Sequence, residues 1–161
     1  AAIQLLKYKN SKSLGQLLGK ALQDHILEIL AEEDLFAQES KKSPWLLIPI
    51  PLSQERLKTR GYNQAELIGR GLISKEEQYF IMDTTVLYKR HHTESQVSIK
   101  DRQSRLRNPK DSFGVRNHER IAKRNCMVLD DVVTTGATMS EAMRVLKKAG
   151  AKRVLGLSVA H

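Results

Sequence analysis

The chain has 161 residues, of which 40% are hydrophobic and only 5% aromatic, and this composition predicts one globular domain over residues 1–161 with an aliphatic core. Lysine and arginine outnumber aspartate and glutamate by 27 to 18, so the net charge of +9 favours polyphosphate or nucleic-acid ligands, or else is a generally basic surface. One cysteine, Cys126, excludes an internal disulfide and a multi-thiolate zinc site; no signal peptide or membrane-spanning run is visible, so we expect no membrane insertion and a reducing, cytoplasmic location.

The first predicted element is a helix over residues 14–30, where leucine and alanine recur at helical spacing. Ser13 is its predicted N-cap. We expect the leucine stripe to face the core, with a partner interface as the alternative. Residues 45–50 are apolar and end at prolines, which predicts a short buried strand.

A polar, basic loop is predicted after this strand, with Arg56, Lys58, Arg60 and Gly61 along it. Asn63 is predicted to cap a short helix that follows the loop. Residues 86–88 predict a further strand. From residue 89 to residue 111 the chain is polar and has few aliphatic side chains, and a stretch of this length without a regular pattern is usually functional or mobile.

The last third of the chain reads as strand, loop, helix and strand. Residues 126–129 predict a strand, residues 139–149 a helix that Gly150 ends, and residues 154–159 a final strand. This order predicts a parallel β-α-β unit. Cys126 lies in the apolar run of the first of these strands, so we expect a small buried side chain rather than a reactive thiol.

Residues 128–138 carry the chemistry. An apolar strand leads into Asp130 and Asp131, and hydroxyl side chains and a glycine follow before the helix begins. A strand-to-helix turn directs free amides and the positive end of the helix dipole at one point, which favours a phosphate, and Gly136 lets the backbone approach it closely. The carboxylates suit sugar hydroxyls or a hard cation such as Mg²⁺. The pattern therefore indicates a sugar phosphate, while a turn with a threonine capping box near Glu141 remains the alternative.

This segment resembles the signature of type I phosphoribosyltransferases. The resemblance implies an α/β fold with a central, mostly parallel sheet flanked by helices and a mobile loop. It also implies that Asp130 and Asp131 act catalytically on the ribose, directly or through Mg²⁺. The loop that would cradle the 5′-phosphate consists of Thr134, Thr135, Gly136, Ala137 and Thr138.

A second resemblance spans nearly the whole chain and is to the ComF/GntX family of competence-type proteins. It rests on the following segments, in chain order: Ile3, Lys7-Tyr8-Lys9, Ile48-Pro49-Ile50-Pro51-Leu52, Arg56, Arg60-Gly61-Tyr62-Asn63-Gln64-Ala65, Thr93, Gln96, Arg105, Asn108 and Phe113. Members of that family often carry an N-terminal zinc module with four cysteines, and these 161 residues do not contain it. The Gln96-to-Arg105 spacing also departs from the family pattern by one residue.

The family implies a mechanism in which phosphoribosyl pyrophosphate loses its pyrophosphate as positive charge develops on the sugar ring. Arg60 is the best candidate to hold the pyrophosphate, because a guanidinium can bind two oxygens at once. Gln96 and Arg105 are the positions of the polar 89–110 loop that the family pattern supports. For Arg56 and Lys58, a ligand contact and a solvated charge are equally open.

Three functions remain open from the sequence. The first is Mg²⁺-dependent phosphoribosyl transfer to an unidentified acceptor, which the family places in the context of DNA uptake and natural competence. The second is non-catalytic handling of single-stranded DNA, alone or with proteins of the uptake machinery, for which Tyr62 and Tyr79 are the only plausible stacking platforms and Trp45 is expected in the core. The third is a module that senses phosphoribosyl pyrophosphate for a protein partner.

Overall fold

The structure is a computed structural model that describes residues 11–32, 44–74, 79–90 and 112–160. The helices in these ranges are α1 (Ser11–Glu32), α2 (Gln54–Arg60), α3 (Gln64–Ile73) and α4 (Ala137–Lys148). The strands are β1 (Trp45–Pro49), β2 (Phe80–Met82), β3 (Leu87–Lys89), β4 (Phe113–Val115), β5 (Asn125–Val132) and β6 (Arg153–Ala160). A 3₁₀ turn at His118–Arg120 precedes β5.

Four strands form a wholly parallel sheet in the order β2-β1-β5-β6. β3 and β4 form a separate antiparallel ribbon. The predicted α/β architecture and the β5-α4-β6 unit are confirmed. Because the strands of the sheet run the same way, β1 and β5 both end on one side, which we call the carboxyl edge. The opposite side, where β5 begins at Asn125 and β6 at Arg153, is the amino edge.

The core lies on both faces of the sheet, and β1 and β5 are buried on both sides. Along β1, Leu46 and Ile48 face α4 and the β3–β4 ribbon, while Trp45 and Leu47 face α1 and α3. Near-continuous apolar sequence is typical of such doubly covered parallel strands. Cys126 is fully buried as predicted, and burial raises the pKa of its thiol to about 11. Within the described ranges, no helix has the length and hydropathy needed to span a membrane.

The leucine stripe faces the core in large part, as expected: Leu18, Leu22, Leu27 and Leu30 pack in or against it, whereas Leu17 and Ala21 are exposed. The buried positions of α1 are Gly15, Gly19, Gln23, Ile26 and Leu30, which are spaced by four or three residues, while Leu17 is 64% exposed. The two glycines are required at the centre of the contact with α3, because a Cβ at Gly19 would overlap the carbonyl oxygen of Ile68. Close approach of the helix backbones therefore decides the rotation of α1. The helix also extends to Ser11, so Ser13 lies inside its first turn and the predicted N-cap is wrong.

The basic loop predicted after β1 contains a two-turn helix, α2. Ser53 caps it, since its hydroxyl accepts a hydrogen bond from the amide of Arg56 at 3.3 Å, and Gly61 ends it with a left-handed backbone at φ 77°. None of the residues of α2 is buried. Its formation therefore depends on these local caps, and the sequence signal for it was Ser53 followed by an acidic first turn.

Most predicted boundaries in the last third lie within a few residues of the structure. The helix begins two residues earlier than predicted, at Ala137, and Gly150 adopts φ 98° just beyond its end. The first strand is longer than predicted: it runs to Val132, so Asp130 and Asp131 lie within β5 rather than after it. The short strands β2 and β4 were not predicted, because three residues are too few to establish a period.

Candidate functional site

The acidic pair lies at the carboxyl end of β5, in the middle of the sheet. Asp130 pairs with Ser158 of β6, and Val132 pairs with Ala160, so the ladder continues past both carboxylates. The side chains fold back on the chain: Asp130 Oδ1 accepts from the amide of Asp131 at 2.9 Å, and Asp131 Oδ1 accepts from the amide of Val132 at 3.0 Å. Both residues are half-buried. A carboxylate pair is thus held rigidly at the sheet edge with oxygen atoms left to bind a ligand.

The environment of Asp130 opposes its ionisation. Burial is the largest cause, and hydrogen bonding and charge repulsion from the adjacent Asp131 carboxylate add to it; together they raise the pKa of this carboxyl to about 7. The backbone amide of Asp131 and the positive charge of Lys89 act in the opposite direction. Asp130 therefore gains most from a cation or a hydroxyl donor placed beside it.

The turn from β5 to α4 forms the second part of the site. Gly136 is the N-cap residue of α4 with φ 72°, and no side chain caps the helix there, so the threonine capping box considered above is wrong. Thr135 Oγ1 accepts from the amide of Ala137 at 3.4 Å, and Thr134, Thr135 and Thr138 are exposed. The first turn of a helix presents amide donors that have no partner within the helix. This turn therefore provides amides, hydroxyls and the positive end of the helix dipole beside the acidic pair.

The chain that leaves β1 lies next to this turn. The amide of Ile50 donates to the carbonyl of Leu129 at 2.8 Å, which places the segment after β1 beside the residue that precedes Asp130. Asn63 Nδ2 donates to the carbonyl of Ile50 at 2.9 Å, and its Oδ1 accepts from the amide of Ala65 at 3.1 Å. The predicted cap of α3 is confirmed, and Asn63 also fastens the start of α3 to the carboxyl edge.

The basic residues of α2 lie on two different faces of the helix. Arg56 and Arg60 are four residues apart and share a face, whereas Lys58 projects elsewhere. The charge of Arg56 acts on Lys89 at the end of β3, and Lys89 in turn acts on Asp130. The face of α2 with the two arginines is thus the face nearer the acidic pair. This favours a ligand contact for Arg56 and a solvated charge for Lys58.

Arg60 is partly buried and held in place. Its Nη1 donates to Oε1 of Gln64 at 3.1 Å, across the junction between α2 and α3. Gln64 is 1% exposed, and its Nε2 is buried with no hydrogen-bond partner in the described part of the chain. The sequence motif that contains both residues did not predict this contact.

Lys89 was assigned to the polar loop but is the last residue of β3. It is half-buried; burial lowers the pKa of its ammonium group, Arg56 lowers it further, and Asp130 raises it. Gln96 and Arg105 lie outside the described residues, as does the rest of the loop from residue 91 to residue 111. Of the predicted site residues, the structure brings together the acidic pair, the 134–138 turn and the segment that carries Arg60.

A further acidic side chain at this edge, that of Asp83, already has partners within the protein. Asp83 follows β2 and is buried; its Oδ1 accepts from the amide and hydroxyl of Thr85 at 2.8 and 2.7 Å. Its Oδ2 lies 2.9 Å from Nη2 of Arg120. These contacts tie β2 to the turn before β5, so Asp83 stabilises the edge and leaves the site to Asp130 and Asp131.

The donors fit magnesium bound through a ligand rather than in a protein cage. Among the described residues, no three His, Cys, Asp or Glu side chains form a cluster that could hold a metal ion. Mg²⁺ commonly binds through one or two carboxylates together with phosphate oxygens and water. Asp130 and Asp131 beside a phosphate-binding turn provide that donor set.

The amino edge has the opposite character. Two turns meet there: the amide of Lys123 donates to the carbonyl of Gly150 at 2.9 Å, and the amide of Lys152 donates to that of Arg124 at 2.8 Å. We call the cations of these turns the basic edge, which consists of Lys123, Arg124, Lys147, Lys148, Lys152 and Arg153. Within residues 116–125 and 147–153, the only acidic residue is Glu119.

The aromatic residues considered as stacking platforms are not displayed openly. Tyr79 packs against the core beside α1 and α3, and Tyr62 is half-buried. Trp45 is fully buried, as expected for a core residue. The exposed part of the described chain therefore offers charge rather than aromatic surface.

Comparison with known proteins places the chain in a family. Residues 58–159 match the family described as "Phosphoribosyl transferase domain". Competence protein F of Haemophilus influenzae is 32% identical over 94% of this chain and 63% of its own length. Competence protein ComFC of Streptococcus pneumoniae is 31% identical over 84% of this chain and 57% of its own length, and DNA utilization protein YhgH of Escherichia coli O157:H7 is 29% identical over 94% and 62%. The chain thus spans about three fifths of the length of these relatives.

The fold has counterparts among solved structures. A structure described as an analysis of an invariant aspartic acid in HPRTs, in its asparagine mutant, aligns with a TM-score of 0.55 over 91% of this chain and 65% of its own, at 12% identity. The structure of an allosteric regulatory enzyme of purine biosynthesis aligns with a TM-score of 0.52 over 92% of this chain and 26% of its own, at 17% identity. At these identities the likeness concerns the fold.

Proposed function

The chain belongs to the phosphoribosyl transferase domain family and is similar to competence proteins of the ComF type, and from that premise we propose that its carboxyl edge binds phosphoribosyl pyrophosphate with Mg²⁺. One observation carries the proposal: a carboxylate pair at the end of β5 stands directly before a left-handed glycine and the amino end of α4. Acidic oxygens suit the ribose, and the amides suit the 5′-phosphate.

The ligand's three parts match three parts of the site. The 5′-phosphate is assigned to Thr134, Thr135, Gly136, Ala137 and Thr138. The ribose hydroxyls are assigned to Asp130 and Asp131, which accept their hydrogen bonds or hold them through the metal. The pyrophosphate is assigned to the arginine face of α2, with Lys89 beside it. Gln96 and Arg105 are proposed to add to the pyrophosphate contacts from the loop.

The proposed reaction is phosphoribosyl transfer to an acceptor that the site does not identify. The bond between ribose C1 and pyrophosphate breaks, the electron pair leaves with the pyrophosphate oxygen, and the acceptor forms the new bond to C1. Asp130 and Asp131 hold the ribose and offset the positive charge that develops on its ring, while Arg60 and Arg56 stabilise the departing anion. Mg²⁺, when bound, supplies charge neutralisation on the pyrophosphate oxygens.

Calorimetry with phosphoribosyl pyrophosphate, with and without Mg²⁺, tests the site. We expect Mg²⁺-dependent binding that Asp130→Asn and Asp131→Asn each weaken by about tenfold or more, since each removes a charged acceptor. Asp24→Asn is the matched control, because Asp24 is an exposed aspartate on α1 and should have no effect. Absence of binding, or wild-type affinity in both site variants, would remove the proposal.

Turnover separates an enzyme from a sensor of the same ligand. Release of pyrophosphate in the presence of a panel of nucleobase and amine acceptors is expected for a transferase. Tight binding of phosphoribosyl pyrophosphate without pyrophosphate release under any condition would instead support the sensing role. Binding and release are measured on the same protein, so the two outcomes are distinguishable.

A second function is favoured by the basic edge: binding of single-stranded DNA. At least six cations line two adjoining turns, and relatives carry the names competence protein and DNA utilization protein. Lys123 supports this function because its φ of 62° is energetically unfavourable for any residue with a side chain. A lysine nevertheless occupies this position, where a glycine would cost less energy. The simpler explanation for Lys147 and Lys148 is that they complement the negative end of the α4 dipole.

Titration of a fluorescent oligonucleotide across salt concentrations tests this second function. Exchange of Lys123, Lys147, Lys148 and Arg153 for glutamine should weaken binding and lower the logarithmic salt slope by about 3, at roughly 0.7 per lost phosphate contact. A control that neutralises Lys20 and Arg70, exposed cations on α1 and α3, should not change the affinity. An unchanged slope in the quadruple variant would exclude the basic edge as the DNA surface.

A further inference from the structure

We propose that Tyr88 and Arg116, on the outer face of the β3–β4 ribbon, form a stacking site for an unpaired base of single-stranded DNA. This inference rests on the second proposed function for the identity of the ligand, and it adds a contact for a base to the phosphate contacts of the basic edge. The observations that carry it are a ring contact, a glycine that makes room for the ring, and the charges on either side.

Arg116 lies over the ring of Tyr88. Its Cζ atom is 4.2 Å from the ring centroid, a distance at which a planar guanidinium stacks on an aromatic face. Arg116 is exposed and Tyr88 is half-buried, so the outermost layer of the stack is the guanidinium. In the described ranges Arg116 has no carboxylate partner, whereas Arg70, Arg120 and Arg144 each have one. The ring, rather than an ion pair, therefore holds this side chain in place.

Gly114 provides the space in which the ring lies. It pairs with Tyr88 across the ribbon, and a Cβ added to it would lie 2.4 Å from both Cζ and Oη of the tyrosine. The backbone of Gly114 does not have a positive φ, so its conformation does not require a glycine. A glycine inside a strand weakens the sheet, and it commonly marks a place where another group approaches closely. The ring that lies across Gly114 therefore explains the glycine.

The stack lies on the face of the ribbon that points away from the acidic pair. Side chains alternate between the two faces along a strand. Leu87 and Phe113 are buried in the core, and Lys89, which is on the same face as Leu87, exerts its charge on Asp130. Tyr88 and its cross-strand partner therefore point to the other face. The stacking site is thus separate from the proposed phosphoribosyl site.

Cations lie on both sides of the stack. Arg90 follows β3 and is exposed, and its amide donates to the carbonyl of Ser112 on the opposite side of the ribbon at 2.8 Å. At the other end of the ribbon, residues 117–124 lead from Arg116 to Lys123 of the basic edge. Glu119 is the only acidic residue in the sequence of this connection. A DNA strand whose phosphates contact the basic edge can therefore continue along this connection to the stack.

An unpaired base fits this arrangement better than a phosphate alone. A base is planar and its face stacks on a guanidinium or an aromatic ring, while the N–H groups at the guanidinium edge bind the adjacent phosphate. In a duplex the base faces are covered by their neighbours, so the stack selects a single strand. Tyr88 keeps the guanidinium plane turned outward, and a lysine at position 116 has no such plane to present.

Fluorescence anisotropy titrations with two labelled strands of about 12 nucleotides separate stacking from charge. One strand carries thymine bases and the other is abasic, so the two have the same phosphates. Arg116→Lys keeps the charge and removes the plane, and we expect it to bind the thymine strand about tenfold more weakly while it binds the abasic strand as the wild type does. Arg70→Lys is the matched control, because Arg70 is an exposed arginine of α3 paired with Glu66 and should leave both affinities unchanged.

Two exchanges at Tyr88 test the ring itself. Tyr88→Phe keeps the ring and should retain the preference for the thymine strand over the abasic strand, whereas Tyr88→Leu should lose it. Thermal melting shows whether each variant is folded, and should Tyr88→Leu fail to fold, Arg116→Lys decides the matter because its side chain is exposed. Wild-type affinity of Arg116→Lys for the thymine strand, or equal losses for both strands in that variant, would overturn the inference.

The inference and the second proposed function fail in different ways. If exchange of the basic-edge cations leaves the salt slope unchanged while Arg116→Lys loses its preference for bases, the basic edge is wrong and the stacking site stands. If the basic-edge variant binds more weakly while Tyr88→Leu and Arg116→Lys bind the thymine strand as the wild type does, the basic edge stands and the stack only stabilises the ribbon. Absence of binding of either strand by the wild type would remove both.

Discussion

The two edges of the sheet use the same strands for opposite chemistry. At its carboxyl end, β5 presents Asp130 and Asp131 beside the amino terminus of α4, whereas at its amino end it begins beside Lys123, Arg124 and Arg153. About 20 Å of strand separates the two ends. In a parallel sheet every helix amino terminus falls on the side where strands end. We therefore propose the small-anion site at the carboxyl edge, where donors converge, whereas the long cationic side chains of the basic edge suit an extended polyanion.

The largest expected difference between the two edges comes from adding a side chain to the glycine with a left-handed backbone at each edge. Gly136→Val places a branched side chain in the proposed phosphate seat, and we expect roughly a hundredfold loss of affinity for phosphoribosyl pyrophosphate, about 3 kcal/mol. Gly150→Val imposes a similar backbone strain at φ 98° on the amino edge, so it should cost stability but not affinity. Calorimetry and urea unfolding measure the two quantities. Equal losses of affinity in both variants would mean that the glycine acts through folding alone.

The raised pKa of Asp130 gives the carboxyl edge a dependence on pH. Because the pKa rises from its ordinary 3.8 to about 7 on folding, the native state holds a proton that the unfolded chain releases. The associated stability is present below pH 3.8 and is lost as the pH rises toward 7. In chelator-treated protein we therefore expect the free energy of unfolding of wild type to fall relative to that of Asp130→Asn between pH 4 and pH 7.

The same titration affects ligand binding in the opposite sense. Mg²⁺ and ribose hydroxyls need the ionised carboxylate, so affinity for the magnesium complex of the ligand should rise as the pH passes through about 7. Calorimetry at pH 6 and pH 8 measures this directly. An affinity that does not change over that range, in the wild type, would argue against a direct part for Asp130 in holding the metal or the sugar.

The smallest effect is expected at the amino edge, from Lys123→Gly. Glycine adopts φ 62° without a Cβ penalty, so the variant should be more stable by roughly 1 kcal/mol, while its affinity for single-stranded DNA falls. Asn117→Gly is the matched control, since Asn117 has φ 50° and no charge to lose. Thermal melting and oligonucleotide titration separate the two consequences. Unchanged DNA affinity in Lys123→Gly would assign the lysine no role in binding.

The sequence predicted the carboxyl edge better than the rest because its information there is local. Residues 126–159 contain a strand, a turn, a helix and a strand in immediate succession, and the chemistry of the turn depends on backbone geometry that neighbouring residues set. The acidic pair and the Gly136 turn could therefore be found by reading along the chain. The extension of β5 through Asp130 and Asp131 could not, because it depends on pairing with β6.

The face that α1 buries shows what only the tertiary structure decided. Its leucines predicted the core side, and most of them do pack there, but Gly15 and Gly19 admit the backbone of α3 at the centre of the contact, and Leu17 is exposed. The contact of Arg60 with Gln64, and the meeting of the Lys123 and Gly150 turns, likewise join residues whose proximity no local pattern encodes. Local periodicity and turn chemistry thus determined the helices, the strands and the proposed phosphate-binding turn. The close approach of backbones and the contacts between distant side chains were decided only by tertiary packing, because burial depends on the whole chain.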